Sequence, residues 1–363
     1  MKTFFFLTFL LSVYLSCGQN MTERQGMGTS EKYAKVKNVY KTGQIVRIVF
    51  YNLENLYDPY NDTTTLDDEF TSGGTKRWTY GRFLQKLNHV AKTFLAIGGW
   101  EPPAIIGMCE LENRYVLNKL IYETPLKKSG YRFIHYESPD ARGIDVALLY
   151  RPELFRVFYS KNIRIRFPGD TMMHTRDILH VKGVLFEADT VNIFVNHWPS
   201  RRGGYRESVP KRLLVAGTLR ILLDSLFRNN PESNIIIMGD FNDEPDQPSI
   251  SGILHATGFS PQTRSDSLVN LMIPKLRDRS MGTHKYQGKW AILDQFMVSG
   301  SLLLNQKGVK TSPESVHIFT ANFLSEDDER FLGSKPRRTY SGPRYNGGFS
   351  DHLPVYLDVW EVK

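Results

Sequence analysis

Short apolar runs recur along this chain, and several stop abruptly in polar groups, the pattern of buried strands whose ends carry chemistry. Asn234-Ile235-Ile236-Ile237-Met238 runs into Gly239-Asp240-Phe241-Asn242, and Val191-Asn192-Ile193-Phe194-Val195 runs into Asn196-His197. Ala104-Ile105-Ile106-Gly107-Met108-Cys109 ends in Glu110, and Arg47-Ile48-Val49-Phe50-Tyr51 leads into Asn52-Leu53-Glu54-Asn55. Near the far end, Ser350-Asp351-His352 precedes the strand-like residues 353–359. Asp294 interrupts another apolar stretch, residues 291–298. An unpaired buried carboxylate costs about several kcal/mol, so Asp294 calls for a partner such as a histidine.

Between these strands the period changes. Phe83, Leu84, Leu87, Val90, Ala91, Phe94 and Leu95 predict an amphipathic helix over residues 81–97. Leu213, Leu214, Ala216, Leu219, Leu222 and Leu226 predict a second over 209–227. Further strands are expected at 131–136, 145–150, 180–186 and 316–319, divided by Gly, Pro and Asn. Strands and amphipathic helices in alternation imply a layered α/β sandwich, sheets inside and helices outside, in one catalytic domain over residues 43–363.

The ordered set of strand ends resembles the endonuclease/exonuclease/phosphatase superfamily, which includes deoxyribonuclease I, exonuclease III-type enzymes, neutral sphingomyelinases and inositol polyphosphate 5-phosphatases. Its elements are Tyr51-Asn52-Leu53-Glu54-Asn55-Leu56, Cys109-Glu110, Arg142-Gly143-Ile144-Asp145-Val146-Ala147, Asn196-His197-Trp198-Pro199-Ser200, Gly239-Asp240-Phe241-Asn242, Leu293-Asp294-Gln295 and Ser350-Asp351-His352-Leu353-Pro354. The resemblance implies a four-layer sandwich, two mixed sheets packed face to face and flanked by helices, with the active site at one edge. Taken singly, Asp240 also fits a turn cap and His197 a satisfied strand-end histidine. It is their joint placement that points to a site.

Hard ligands dominate that set. Glu110 and Asp351 offer carboxylate oxygens and Asn52 and Asn242 amide oxygens, which favours Mg²⁺ over Zn²⁺, with Mn²⁺ or Ca²⁺ as substitutes. The resemblance makes Glu110 the principal metal ligand, helped by Asn52 or Asp351. It assigns His352, oriented by Asp294, to proton transfer or to the phosphate, and His197 to phosphate oxygens. Asp240 and Asn242 would position the attacking water. Phosphodiester hydrolysis by activated water, without a covalent nucleophile, follows.

Charge and local composition bear on the substrate. The chain of 363 residues carries a formal net charge of +8, and loss of an export signal would remove only Lys2 from the charged set. Basic balance favours anionic partners. Arg201-Arg202-Gly203-Gly204-Tyr205-Arg206 follows His197, and residues 335–345, with Arg337 and Arg338, lead into Asp351. Arginines interleaved with tyrosines suit a phosphate backbone and stacked bases. Arg142 and Asn196 join Arg201, Arg202, Arg337 and Arg338 as expected substrate contacts. A nuclease acting on DNA or RNA is the first expectation, a phospholipid or phosphoinositide headgroup the second, and an inactive surface binding protein the third. A monomer is expected.

Residues 1–17 read as a signal peptide, with Lys2 ahead of an apolar stretch too short to span a membrane. Leu15-Ser16-Cys17-Gly18 resembles a bacterial lipoprotein box, predicting either a lipid anchor at Cys17 on the outer surface or in the periplasm, or plain secretion. Residues 18–42 are polar and read as a linker. The other cysteine, Cys109, cannot pair once Cys17 is removed or acylated.

Overall fold

The computed structural model describes residues 45–169 and 173–363. The signal and linker expected over 1–17 and 18–42, and the anchor at Cys17, lie outside the described residues. Two seven-stranded mixed sheets form the body. The first runs, edge to edge, Gly308–Lys310, Val355–Val362, Ile45–Leu56, Ile105–Leu111, Asp145–Tyr150 and Arg132–His135, with Val316–Ile318 branching off Val355–Val362. The second runs Phe155–Ile163, Ile178–Leu185, Asp189–His197, Asn234–Asp240, Asp294–Ser299, Leu268–Asn270 and Ala256–Thr257.

Alternation along each strand builds the layers. Ile48 and Phe50 face Ile193, Val195, Ile236 and Met238 of the other sheet in one apolar cluster. Val49 and Tyr51, their neighbours in sequence, join Phe83, Leu87, Phe94, Leu117 and Leu120 from the helices Tyr80–Gly98 and Arg114–Tyr122. On the far side, Phe194, Ile235 and Ile237 pack against Val215, Leu219 and Leu223 of the helix Tyr205–Asn229. Four layers result, as the resemblance implies. Gly107 sits where the sheets approach each other, since a Cβ there would lie 2.7 Å from the Met238 methyl group.

Helix ends follow local chemistry. Thr79 caps Tyr80–Gly98 by accepting from the Arg82 amide, and Gly99 ends it at φ 69°. Tyr205–Asn229 starts four residues before the expected 209, because Pro210 near its start removes a single amide and the helix extends through it. Arg114–Tyr122, capped by Asn113, was not expected from periodicity. Neither was the edge strand Phe155–Ile163, whose mixed burial lacks a clean two-residue alternation.

Candidate active site

Three adjacent strands of the second sheet deliver a row of polar groups. His197 lies opposite Asp240 on the parallel ladder, and Asp240 lies opposite Asp294 on the antiparallel one. Gly239 permits this, because a Cβ there would lie 2.6 Å from the Asn196 carbonyl oxygen. From the first sheet, the ladder breaks register between Asn52 and Leu56 and between Cys109 and Leu111. Glu54 (φ 50°), Asn55 (56°) and Glu110 (60°) turn left-handed there, as does Asn242 (51°) on the second sheet. Non-glycine residues in that region cost about 1–3 kcal/mol each and gather where function re-aims side chains.

Asp240 is the hub. Its Oδ2 accepts from Asn52 Nδ2 at 3.0 Å and its Oδ1 from the Asn242 amide at 2.9 Å. Asp294 has the histidine partner its burial demands: its Oδ2 lies 2.7 Å from His352 Nδ1. His352 Nε2 then faces Asp240 Oδ2 at 3.8 Å. On the other side, His197 Nε2 lies 3.9 Å from the same oxygen and 3.6 Å from Glu110 Oε1. Glu110 is steadied by the Asn55 amide, which donates to its Oε2 at 3.0 Å. These longer separations are gaps rather than hydrogen bonds.

The two histidines are driven in opposite directions. Burial alone would lower His352, but the Asp294 and Asp240 carboxylates and the hydrogen bond to Asp294 outweigh it and hold the imidazolium well above its ordinary range. Burial, with Arg176 and Arg142, pushes His197 well below that range and keeps it neutral. Asp240 is raised by burial, partly offset by His352. Opposed protonation states within one pit mark an acid/base site.

A second ionic group adjoins the first. Arg338 spans two carboxylates, donating to Glu54 Oε1 at 3.2 Å and to Asp351 Oδ2 at 2.9 Å. The Thr339 amide donates to Glu54 Oε2 at 2.6 Å. Lys86, buried on the helix Tyr80–Gly98, donates to Thr339 Oγ1 at 2.6 Å and to the Phe349 carbonyl. Burial pushes Glu54 up to about 7, with Asp351 adding to it, and pulls Lys86 down to about 8. Partial burial raises Asp351, but His352 and Arg338 outweigh it and hold the carboxyl below the usual range.

Several of the expected contacts have partners within the protein. Asn196 is fully buried; its Nδ2 donates to the Met238 carbonyl at 3.3 Å and its Oδ1 accepts from Trp198 Nε1 at 3.1 Å, so it sets Trp198 beneath the surface. Asn52, expected on the metal, also orients Asp240: its Nδ2 donates to that carboxylate and its Oδ1 accepts from the Glu54 amide. Arg201 donates to the Asn242 carbonyl at 2.8 Å and buttresses that loop. Arg338 is occupied by its two carboxylates, whereas Arg202 and Arg337 are exposed. Arg142 is half-exposed, and the Asp140 carboxylate lies 3.6 Å from its Nε. Asp140 also accepts from buried Arg176 at 2.9 Å, and the other arm of Arg176 donates to the Trp198 carbonyl at 2.6 Å. That carbonyl also accepts from Asn242 Nδ2 at 3.1 Å.

The donor chemistry fits a hard divalent cation. Glu54, Glu110 and Asp351 present oxygen, and Arg338 holds the Glu54 and Asp351 carboxylates together. Among the described residues, three tight groups have ligand atoms within 4.8 Å of one another: His284, Asp351 and His352; His135, Glu137 and Asp145; and Asp240, Asp294 and His352. Glu110 belongs to none of them.

With this geometry, the chain matches the model of the endonuclease/exonuclease/phosphatase family over residues 47–361. It belongs to that family. Members are phosphoesterases that depend on divalent metal, and the described acids and histidines could hold such an ion. No curated protein sequence matches the chain. Solved structures share the fold. An endonuclease/exonuclease/phosphatase family protein of Bacteroides thetaiotaomicron is similar at 14% identity and TM-score 0.53, over 89% of this chain and all of that one. A mannosyl-6-phosphatase from the same organism reaches 15% and 0.53, over 86% of this chain and 99% of that one. The human Nocturnin catalytic domain with bound sulfate reaches 16% and 0.50, over 88% and 96%.

Proposed function

We propose that this phosphoesterase is a divalent-metal-dependent phosphodiesterase that hydrolyses nucleic acid, DNA foremost, by direct attack of water. The observation that carries the reading is Asp240 set between two histidines, His352 at 3.8 Å and His197 at 3.9 Å. A phosphate between them meets an imidazolium on one side and a neutral imidazole N–H on the other. Asp240, its carboxyl raised by burial and both oxygens hydrogen-bonded, takes the proton of the attacking water. Asp294 keeps His352 charged, and the imidazolium stabilises charge developing on the phosphoryl oxygens. Glu54, Glu110 and Asp351 would hold the cation, Mg²⁺ by donor type, which neutralises phosphate and leaving-group charge when bound.

Polynucleotide is favoured by the exposed Arg202 and Arg337 and by Arg142, whose guanidinium is held charged by Glu110 and Asp140 against the effect of burial. Export through residues 1–17 belongs to the same proposal. The test is single-turnover cleavage of a DNA oligonucleotide in ¹⁸O-water with Mg²⁺. Wild type should place one ¹⁸O on the product phosphate, and Asp240→Asn and His352→Ala should each be slower by about two orders of magnitude or more. Variants cleaving at the wild-type rate would remove both residues from the mechanism.

One observation favours a phospholipid headgroup as the alternative substrate. Tyr286 (68% exposed), Phe331 (41%) and Leu332 (81%) lie on two hairpins joined by Lys285 Nζ donating to the Leu332 carbonyl at 2.9 Å. Their root is His284, paired with His352. Exposed apolar tips beside Lys289 and Arg330 suit an anionic lipid surface.

A further inference from the structure

We propose that His284, His352 and Asp351 form a transition-metal site that shares Asp351 with the carboxylates proposed for the hard cation, and that Zn²⁺ or Co²⁺ bound there blocks hydrolysis. The ligand atoms of the three side chains all lie within 4.8 Å of one another. His284 and His352 are direct partners in an isolated antiparallel bridge, which puts their Cβ atoms about 4.5–5.5 Å apart. Their rings lie side by side, centroids 4.7 Å apart and planes inclined by 41°. Closing these atoms onto one ion with bonds of about 2.0–2.2 Å takes a movement of about 1 Å.

Each ligand is positioned by the chain around it. Thr283 ties the His284 strand to both neighbours: its hydroxyl accepts from the Leu293 and Asp294 amides at 3.0 and 3.1 Å, and its carbonyl from the Leu353 amide at 2.7 Å. Asp294 takes His352 Nδ1 at 2.7 Å, leaving Nε2 to face the site. A carboxylate behind a ligating histidine is the arrangement that orients the ring and strengthens it as a donor. Arg338 fixes the Asp351 carboxylate through Oδ2 at 2.9 Å. Two imidazoles with one carboxylate select borderline transition metals over Mg²⁺ or Ca²⁺, which prefer all-oxygen sites.

Bound metal would occupy His352 Nε2, the ring atom that faces Asp240 Oδ2 at 3.8 Å, and so take the place of the phosphate there. That consequence rests on the proposed hydrolytic role of His352; the binding site itself does not. The test is titration of the full chain with Co²⁺, followed by the visible absorption of the protein-bound ion, for wild type, His284→Ala and His284→Phe, the last of which keeps a ring against His352. One equivalent should bind to wild type, and both variants should bind about tenfold or more weakly. Zn²⁺ inhibition of Mg²⁺-supported hydrolysis should weaken by the same factor. Equal Co²⁺ affinity in wild type and a folded variant would overturn the site. Binding through His284 that leaves hydrolysis unchanged would overturn the blocking role. A Co²⁺ spectrum lost in His284→Phe, in a protein that cleaves no phosphoester, would keep the site and discard the hydrolytic reading.

Discussion

Glu54 should make the metal-free protein lose stability as pH rises, and Glu54→Gln should remove that loss. Burial and the neighbouring Asp351 carboxylate hold the Glu54 carboxyl at about 7 in place of its ordinary 4.5. The folded chain therefore keeps a proton that the unfolded chain releases between 4.5 and 7, so folding stability is whole below that window and falls as pH climbs through it. At about 1.4 kcal/mol per pH unit, the loss is about 3 kcal/mol above pH 7. The Arg338 ion pair and the Thr339 hydrogen bond already act within that value, since both pull the carboxyl down. Urea unfolding in chelator, for wild type and Glu54→Gln at about pH 4.5 and about pH 8, gives a double difference in which titrating groups remote from Glu54 cancel. The variant should gain on wild type by about 3 kcal/mol between the two conditions, and Mg²⁺ should stabilise wild type more at the higher pH. An identical offset at both pH values would mean that the folded chain does not hold a proton on Glu54.

Asp294→Asn should let His352 lose its proton at lower pH, because the charge opposing burial is gone; the alkaline limb of the kcat/KM profile should move acidward. A uniformly lower profile with an unmoved limb would leave Asp294 a structural role only. Replacing Arg202 and Arg337 together by Ala should flatten the slope of log affinity against log salt for duplex DNA by about two, with no change for a short uncharged diester. Asn196→Ala should lower stability by about 1–3 kcal/mol while KM stays near wild type, since the amide supports Trp198 and Met238.

Much of the fold was legible because buried strands and amphipathic helices leave opposite periods in sequence. The strand at residues 145–150 was expected with the bounds it has, whereas Phe155–Ile163 was hidden by its exposed, irregularly alternating edge. At the site, the pairing of Asp294 with histidine followed from the cost of burying a lone carboxylate. Glu54 carried a readable signal, since Asn52-x-Glu54 places two polar groups on one face of an otherwise apolar strand. Lys86 carried a readable signal as well: it sits between Phe83 and Val90 on the buried stripe of its helix, where a lysine requires partners. Arg338 was expected to face the substrate because local sequence cannot show that Glu54 and Asp351, far apart in the chain, converge on it. His284 gave no sign, since its relation to His352 exists only through the bridge that joins their strands.

The most direct measurement of the central claim is hydrolysis by the full chain with Mg²⁺, on double-stranded DNA, RNA, sphingomyelin, a phosphoinositide and a phosphate monoester side by side. Glu110→Gln and chelator serve as controls. Cleavage of nucleic acid that is abolished by both controls is the outcome expected of a metal-dependent nuclease. Turnover of the lipid or the monoester alone, or nucleic-acid cleavage that survives in Glu110→Gln, would contradict it.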